Sequence, residues 1–267
     1  MVISDVGLSY VIDYTEWSKN HMNAFDIMLK YINEFFEDNP KYRRDFKIEV
    51  VNDVNKKIRE LSSCAFKDFN MYTDSNGCFV FSDSNEPYVL IKKDIVSEDD
   101  YSFVGTIIHE ITHMNDYSDF MNYHKCTSYC DIANCNYYIS FYLWSEFHAR
   151  RKGYYYLRRA VDFNDKPIND QIAFTKDEYI VYTNALREIR KENAGNYMAI
   201  MYEVMQYLGR FSVWNELYPY EMSLLKLPLD IHKNFLTLYN LLYENNEFSM
   251  ICNIFDTLED LLKTFYF

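Results

Sequence analysis

The sequence predicts an α+β protein that is predominantly helical, with a small mixed amino-terminal half and a helical carboxy-terminal half. Short apolar runs flanked by turn residues occur in the first hundred residues, whereas helical periodicity continues almost without interruption after about residue 136. Hydrophobic residues make up 49% of the 267 residues, enough to build a packed core. No repeat and no Pro/Gly/Ser-rich linker divides the chain. We therefore place the boundary where the pattern changes and expect two parts, 1–125 and 126–267.

The amino-terminal elements follow from local patterns. Residues 15–37 carry apolar side chains at i, i+3, i+4 spacing and predict an amphipathic helix that ends at Asn39 and Pro40. A second helix is predicted over 49–69. The segment 73–87 alternates turn residues with a short apolar run, which is typical of a strand or hairpin. The run at 88–91 is rich in β-branched residues and predicts a strand.

From Phe103 the apolar period becomes helical through the segment VGTIIHEITHMNDY. The predicted helices beyond it cover residues 137–160, 176–193, 195–209, 231–244 and 250–265.

The charge balance narrows the classes of partner. The chain has 27 Lys and Arg against 40 Asp and Glu, a net charge of −13 that repels nucleic-acid phosphates and anionic lipids. Its longest uncharged stretch, 132–145, has 14 residues and falls short of the roughly 18–20 that a membrane-spanning helix needs. The first residues contain no basic segment followed by an apolar core, so no signal peptide is expected. We expect a soluble, cytoplasmic protein whose 6 Cys are free thiols.

The motif that carries chemistry is His109-Glu110-Ile111-Thr112-His113, which fits H-E-x-x-H on a predicted helix. Side chains four residues apart lie on one helix face, so the two imidazoles can bind one Zn²⁺. Glu110 can then act as general base toward a water molecule on the metal. The alternative is a surface helix whose two His are merely solvated. It is disfavoured because apolar residues on the opposite face indicate a buried helix.

A zinc enzyme of this type needs a third protein ligand, and several residues compete for the role. Asp116 lies ~10.5 Å along the helix from His109, too far to share a metal, and is predicted to accept the other ring N–H of His113. A solvated Asp near the helix end is an equal alternative. Downstream, Cys126, Cys130 and Cys135 lie close to His124 but lack the C-x2-C spacing of structural zinc sites. We interpret these cysteines as free thiols.

Glu146 is the best candidate for the third ligand. It lies on a separate predicted helix, within the apolar segment YYISFYLWSEFHA, where an unpaired carboxylate would be costly to bury. A cation is its natural partner, and Arg150 at i+4 competes with a metal for that role. The small residue Ala149 on the same side would let this helix approach the histidine helix closely.

Taken together, HEITH and a helical Glu further along the chain resemble the gluzincin pattern of zinc metallopeptidases. More narrowly, TIIHEITHMNDY and SEFHAR resemble the intracellular ImmA/IrrE-type peptidases, which are often encoded on mobile elements. The resemblance covers about residues 88–155. It implies a zincin-like fold with Zn²⁺ held by His109, His113 and Glu146, and Glu110 as the base. Two residues differ from the family pattern. Thr112 stands where the family usually has glycine, and Arg150 stands where many gluzincins have aspartate.

The resemblance implies limited cleavage of a regulatory protein, and the acidic chain suggests a basic partner such as a DNA-binding repressor. The strand at 88–91 is then expected at the sheet edge beside the active helix, where an extended peptide can pair with it. His232 and several downstream Tyr are open candidates for stabilising the oxyanion. Two alternatives remain. One is a non-catalytic acidic binding or regulatory protein with a structural or degenerate metal site, and the other is a metal-dependent hydrolase acting on a non-peptide bond.

Overall fold

The computed structural model describes residues 2–5, 8–13, 22–64, 76–96, 101–161, 166–220 and 227–265. The predicted α+β, mostly helical class is confirmed. The chain forms two compact units, which we call the amino-terminal unit (1–135 with 156–161) and the carboxy-terminal unit (136–155 with 162–267). Among the described residues, no helix has both the length and the apolar character needed to cross a membrane.

A five-stranded sheet is the framework of the amino-terminal unit. Its strands are β1 (Val2–Asp5), β2 (Leu8–Asp13), β3 (Phe46–Val51), β4 (Gly77–Phe81) and β5 (Pro87–Lys92). They lie in the order β1-β2-β3-β5-β4. The neighbours β2, β3 and β5 run parallel, whereas β1 and β4 are antiparallel to their partners. One edge of the sheet is therefore β4.

The expectation that residues 88–91 form the sheet edge was wrong. These residues belong to β5, which pairs with β3 on one side and with β4 on the other. The turn at 82–86 folds the preceding apolar run back on β5, so the run at 77–81 takes the outer place. Val89, Leu90 and Ile91 are fully buried, as is typical of an interior strand.

The described residues before the motif include two α-helices, α1 (Met22–Asp38) and α2 (Val54–Leu61). Helix α1 buries Phe25, Met28, Ile32, Phe35 and Phe36, as its periodicity predicts. The predicted start at residue 15 lies outside the described residues. The helix predicted over 49–69 is shorter than expected because 49–51 belong to β3, whose side chains alternate in burial. Asp53 caps the start of α2 by accepting a hydrogen bond of 2.9 Å from the Lys56 N–H.

The helix that carries the motif, α3 (Ser102–His124), packs against β4, β5 and α1. It approaches β4 closely at Gly77, where a Cβ atom would lie 2.7 Å from Cγ2 of Thr106. Helix α3 ends at Lys125, which takes a left-handed conformation with φ of 56°. The first half of α3 is thus fixed beside the edge strand.

The cysteines of this unit correct a second expectation. Cys64 and Cys130 form a disulfide across 66 residues, with Cα atoms 5.4 Å apart. They are not free thiols, and their distance along the sequence concealed their proximity. Cys126 and Cys135 carry thiols whose sulfur atoms lie 3.2 Å apart. Burial and the neighbouring Cys135 raise the pKa of the Cys126 thiol to about 12.

The regular secondary structure described in the carboxy-terminal unit is helical. Helix α4 (Tyr138–Ala160) contributes its residues up to 155, and α5 (Ile168–Glu192), α6 (Tyr197–Leu217), α7 (Phe235–Glu244), α8 (Phe248–Ile251) and α9 (Phe255–Lys263) complete it. The helices predicted over 137–160, 176–193, 195–209 and 231–244 are confirmed with shifted ends, since α5 begins eight residues earlier and α6 ends eight residues later than expected. The single helix predicted over 250–265 is instead two helices, α8 and α9, with a break at 252–254. Helix α6 buries more than half of its residues. The indole N–H of Trp214 on α6 donates to the Tyr154 hydroxyl on α4 at 2.8 Å, which ties these two helices together.

Candidate metal centre

Two histidines of α3 point their ring nitrogens at one another. His109 and His113 are both buried, and their Nε2 atoms lie 2.9 Å apart. The i, i+4 spacing places both side chains on one helix face, as the sequence predicts. Two nitrogens bound tetrahedrally to one zinc at 2.0–2.1 Å lie about 3.4 Å apart, about 0.5 Å more than the observed separation, which is that of a hydrogen bond. A small separation of the two rings would therefore allow them to share a cation.

Glu146 on α4 completes a group of three. One ligand atom from each of His109, His113 and Glu146 lies within 4.8 Å of the other two, and all three side chains are buried. Among the described residues, this is the one such group of His, Cys, Asp or Glu side chains. Two imidazoles and a carboxylate are suitable metal donors, so the cluster could bind a metal ion. The structure thus brings together the three residues that the sequence analysis selected.

A residue that the sequence analysis missed holds Glu146. The side-chain amide of Gln206 on α6 donates a hydrogen bond of 2.6 Å to Oε2 of Glu146. Arg150, considered above as a partner of Glu146, instead donates from Nε to Oε1 of Gln206. The one signal that could have pointed to Gln206 is its place as a polar residue within the apolar stretch 204–208 of a helix.

Glu110 lies beside the histidines and is held by the edge strand. Its Oε1 atom is 4.0 Å from Nε2 of His109, and its Oε2 atom accepts a hydrogen bond of 2.9 Å from the backbone N–H of Phe79. The carboxyl group is buried. A carboxylate fixed next to the converging imidazoles is suitably placed to exchange a proton with a water molecule there.

The edge strand can donate to Glu110 because of its register. Ser82 donates to the carbonyl of Glu86, and Lys92 donates to that of Asn76, so even-numbered residues of β4 form the ladder with β5. In an antiparallel pair the intervening residues direct their N–H and C=O groups away from the partner. Residues 77, 79 and 81 therefore present backbone groups at the free edge, and the middle one reaches Glu110.

Aromatic rings surround the histidine pair on the side of β4. The Phe79 ring lies 5.7 Å from His113 and 4.6 Å from Tyr117, measured between ring centroids. Tyr129 packs on Phe79 and Phe81 at 6.1 and 5.4 Å. An apolar wall of this kind lowers the local dielectric, which strengthens electrostatic interactions at the site.

The remaining candidates have separate surroundings. Asp116 is buried on α3. Burial lowers the pKa of the nearby Lys41, and the negative charges of Asp116 and Asp119 partly oppose this shift. Its predicted hydrogen bond to His113 stays a prediction. His232 is engaged in the carboxy-terminal unit. Its Nδ1 accepts from the Asn234 N–H at 3.1 Å, so Nε2 carries the proton and lies 3.0 Å from the Thr264 carbonyl.

The His124 ring packs on Phe120 and Tyr123, with centroid distances of 4.4 and 5.0 Å.

Comparison of the chain with family models, with curated proteins and with solved structures gives no match. The function must therefore be argued from the chemistry of the three converging ligands and the carboxylate beside them.

Proposed function

We propose that this protein is a zinc-dependent metallopeptidase in which His109, His113 and Glu146 hold the metal and Glu110 is the general base. The observation that carries the proposal is the convergence of the three ligand atoms within 4.8 Å. The position of Glu110 beside the same imidazoles supports it, since Oε1 lies 4.0 Å from Nε2 of His109. A purely structural metal site has no need of a fourth, non-ligating carboxylate at this place.

Zinc is the metal that this donor set favours. Catalytic zinc sites use three protein ligands, His₂Glu among them, and keep one position open for water or substrate. Structural zinc sites are instead closed by four protein ligands, usually with cysteines. The thiols of Cys126 and Cys135 contact each other and do not belong to the group of three. The donor set therefore supports catalysis more than a structural role.

Zinc and Glu110 have separate roles in the proposed reaction. When bound, zinc would polarise the scissile carbonyl and acidify the attacking water. Glu110 accepts the proton of that water and passes it to the leaving amine nitrogen. The Phe79 N–H holds Oε2 of Glu110 and thereby keeps Oε1 turned toward the histidines. Since the carboxylate is anchored by one oxygen, it loses little orientation freedom during proton transfer.

The substrate class follows from the edge strand and from the charge. An extended peptide can pair with those outward backbone groups of β4 that Glu110 does not occupy, and so lie beside the histidines. The net charge of −13 favours a basic polypeptide. In keeping with the ImmA/IrrE resemblance, we propose limited cleavage of a basic regulatory protein in the cytoplasm.

The test compares the wild type with Glu110→Gln after zinc loading, and uses Glu192→Gln, an exposed position on α5, as the matched control. Zinc content is measured by elemental analysis, and cleavage by counting new amino termini in a mixture of basic proteins. We expect one zinc in all three proteins and loss of cleavage by about 10²–10⁴-fold in Glu110→Gln alone. A zinc-loaded wild type that cleaves nothing in this mixture would instead support a non-catalytic binding protein.

A further inference from the structure

Gln206 lies outside the metal cluster and donates a hydrogen bond to one of its three side chains. It lies on α6, it is only 2% exposed, and its amide Nε2 is 2.6 Å from Oε2 of Glu146. A buried amide so close to a buried carboxylate forms a charge-assisted hydrogen bond, which is stronger than one between neutral groups. The position of Glu146 therefore depends on a residue of another helix.

The orientation of the Gln206 amide is determined by chemistry. Arg150 donates from Nε to Oε1 of Gln206, and a guanidinium group has no acceptor. A flipped amide would place its NH₂ group against the arginine N–H and its oxygen against the carboxylate, which is repulsive on both sides. Arg150 thus requires Gln206 to present its NH₂ group to Glu146.

Close contact between α4 and α6 keeps these three side chains within reach. A Cβ atom on Gly209 would lie 2.8 Å from both Cβ of Arg150 and the carbonyl oxygen of Phe147. Only a glycine at this position permits the approach. Because Arg150 follows Glu146 by one helical turn, and Gly209 follows Gln206 by nearly one, the contact lies directly beside the hydrogen-bonded group.

Charges around the group are balanced. Burial raises the pKa of Glu203 on α6, the neighbouring Arg210 and Arg150 act against this shift, and Glu146 adds to it. Arg210 also donates to the backbone carbonyl of Gln206 at 3.3 Å, which fixes the main chain at that residue. Arg150 therefore both orients the amide and offsets buried negative charge.

We propose that Gln206 is a positioning residue for the metal ligand Glu146 and that Arg150 acts through it by fixing its amide. The inference rests on the metal site of the proposed function. The Gln206 hydrogen bond occupies Oε2 of Glu146, so Oε1 is the better donor to a cation, and the carboxylate cannot swing freely between its rotamers. Partners of this kind typically change metal affinity by about 10–100-fold.

The experiment measures zinc affinity by competition with a chromophoric chelator for the wild type, Gln206→Met and Arg150→Met. Gln171→Met is the matched control, because the Gln171 amide in the same unit also makes two side-chain hydrogen bonds: it donates to the Lys166 carbonyl and accepts from the Tyr218 hydroxyl. We expect the zinc Kd to rise about 10–100-fold in Gln206→Met and less in Arg150→Met, with no change in the control. The double variant should resemble Gln206→Met, since Arg150 acts through the amide.

Cobalt(II) substitution distinguishes positioning of the ligand from a general effect on stability, because the visible absorption of bound cobalt reports the ligand geometry. The band should shift in Gln206→Met and not in Gln171→Met. If Gln206→Met does not fold, Arg150→Met supplies the test. Unchanged zinc affinity and an unchanged cobalt spectrum in the folded variants would overturn the inference.

The failures of the two proposals are distinguishable. A wild type that binds no zinc overturns both the metal site and the role of Gln206. A zinc-binding wild type with weaker binding in Gln206→Met, but without peptide cleavage, supports the positioning role and contradicts the peptidase.

Discussion

The backbone N–H of Phe79 donates a hydrogen bond of 2.9 Å to Oε2 of Glu110, and so joins the free edge of β4 to the proposed general base. The bond is buried, and its acceptor is a carboxylate, which makes it stronger than an ordinary backbone hydrogen bond. It arises from strand register, since residue 79 directs its N–H away from β5. The edge strand is therefore part of the site as well as of the sheet.

Removing this donor should impair turnover more than removing the Phe79 ring. Phe79→Pro eliminates the N–H at a free edge, where proline is tolerated, and Phe79→Ala keeps it. Since a hydrogen bond to a charged group contributes about 1.5–3 kcal/mol, we expect Phe79→Pro to lower kcat/KM about 10–100-fold below Phe79→Ala. Zinc content should be equal in both. Equal kcat/KM values for the two variants would contradict a role for the N–H.

Zinc should stabilise the folded protein through the three ligands. A ligand that binds only the native state at 100 times its Kd raises the free energy of unfolding by about 2.7 kcal/mol. Urea denaturation with and without zinc should show this gain in the wild type and lose most of it in His113→Ala. His124→Ala is the matched control, because His124 lies on the same helix but outside the group of three. If zinc still stabilises His113→Ala by the same amount, zinc binds at another place in the protein.

The Cys64–Cys130 disulfide should be detectable and stabilising in air-oxidised protein. Proteolysis without reductant should release the two cysteines in one linked peptide. Cys130→Ser should lower the free energy of unfolding by about 2–4 kcal/mol, because the disulfide restricts the unfolded chain. Cys252→Ser, a half-buried cysteine of the other unit, should change it by less than about 0.5 kcal/mol. Alkylation of both Cys64 and Cys130 in unreduced, unfolded protein would show that the disulfide does not form.

Protonation of His232 should destabilise the carboxy-terminal unit at mildly acidic pH. Burial lowers the pKa of His232 in the folded protein, and its Nδ1 accepts the Asn234 N–H, a bond that the protonated ring cannot make. As pH falls below about 6.5, the unfolded chain takes up the proton first, so the free energy of unfolding decreases until the folded pKa is reached. The decrease from pH 7.5 to 5.5, measured by urea denaturation with a chelator present, should be smaller in His232→Gln.

A wild-type decrease no larger than that of His232→Gln would show that this ring does not contribute. Burial also lowers the pKa of His124, so His232→Gln is expected to remove only part of the acid sensitivity. The double variant with His124→Gln should remove more of it. At pH 7.5 and above, the difference in the free energy of unfolding between the wild type and His232→Gln should no longer depend on pH, since His232 is neutral in the folded and in the unfolded protein.

Local sequence pattern was enough to predict most of the helices and the two histidines that converge on one of them. Apolar periodicity is a local property, so α1, α3 and most of the carboxy-terminal helices follow from it with errors at their ends, although the break between α8 and α9 does not. The convergence of His109 and His113 follows in the same way from the i, i+4 spacing on one helix. Glu146 was selected because a carboxylate within an apolar helix needs a buried partner.

Contacts between groups on different elements could not be predicted in this way, because they depend on tertiary packing. The sheet order placed β4 rather than β5 at the edge, and strand register then directed the Phe79 N–H to Glu110. Gln206 reaches Glu146 from 60 residues away, through a helix contact that depends on Gly209. The Cys64–Cys130 disulfide closes a separation of 66 residues. Such pairings depend on the packing of distant segments, whereas periodicity and spacing report only what neighbours along the chain can do.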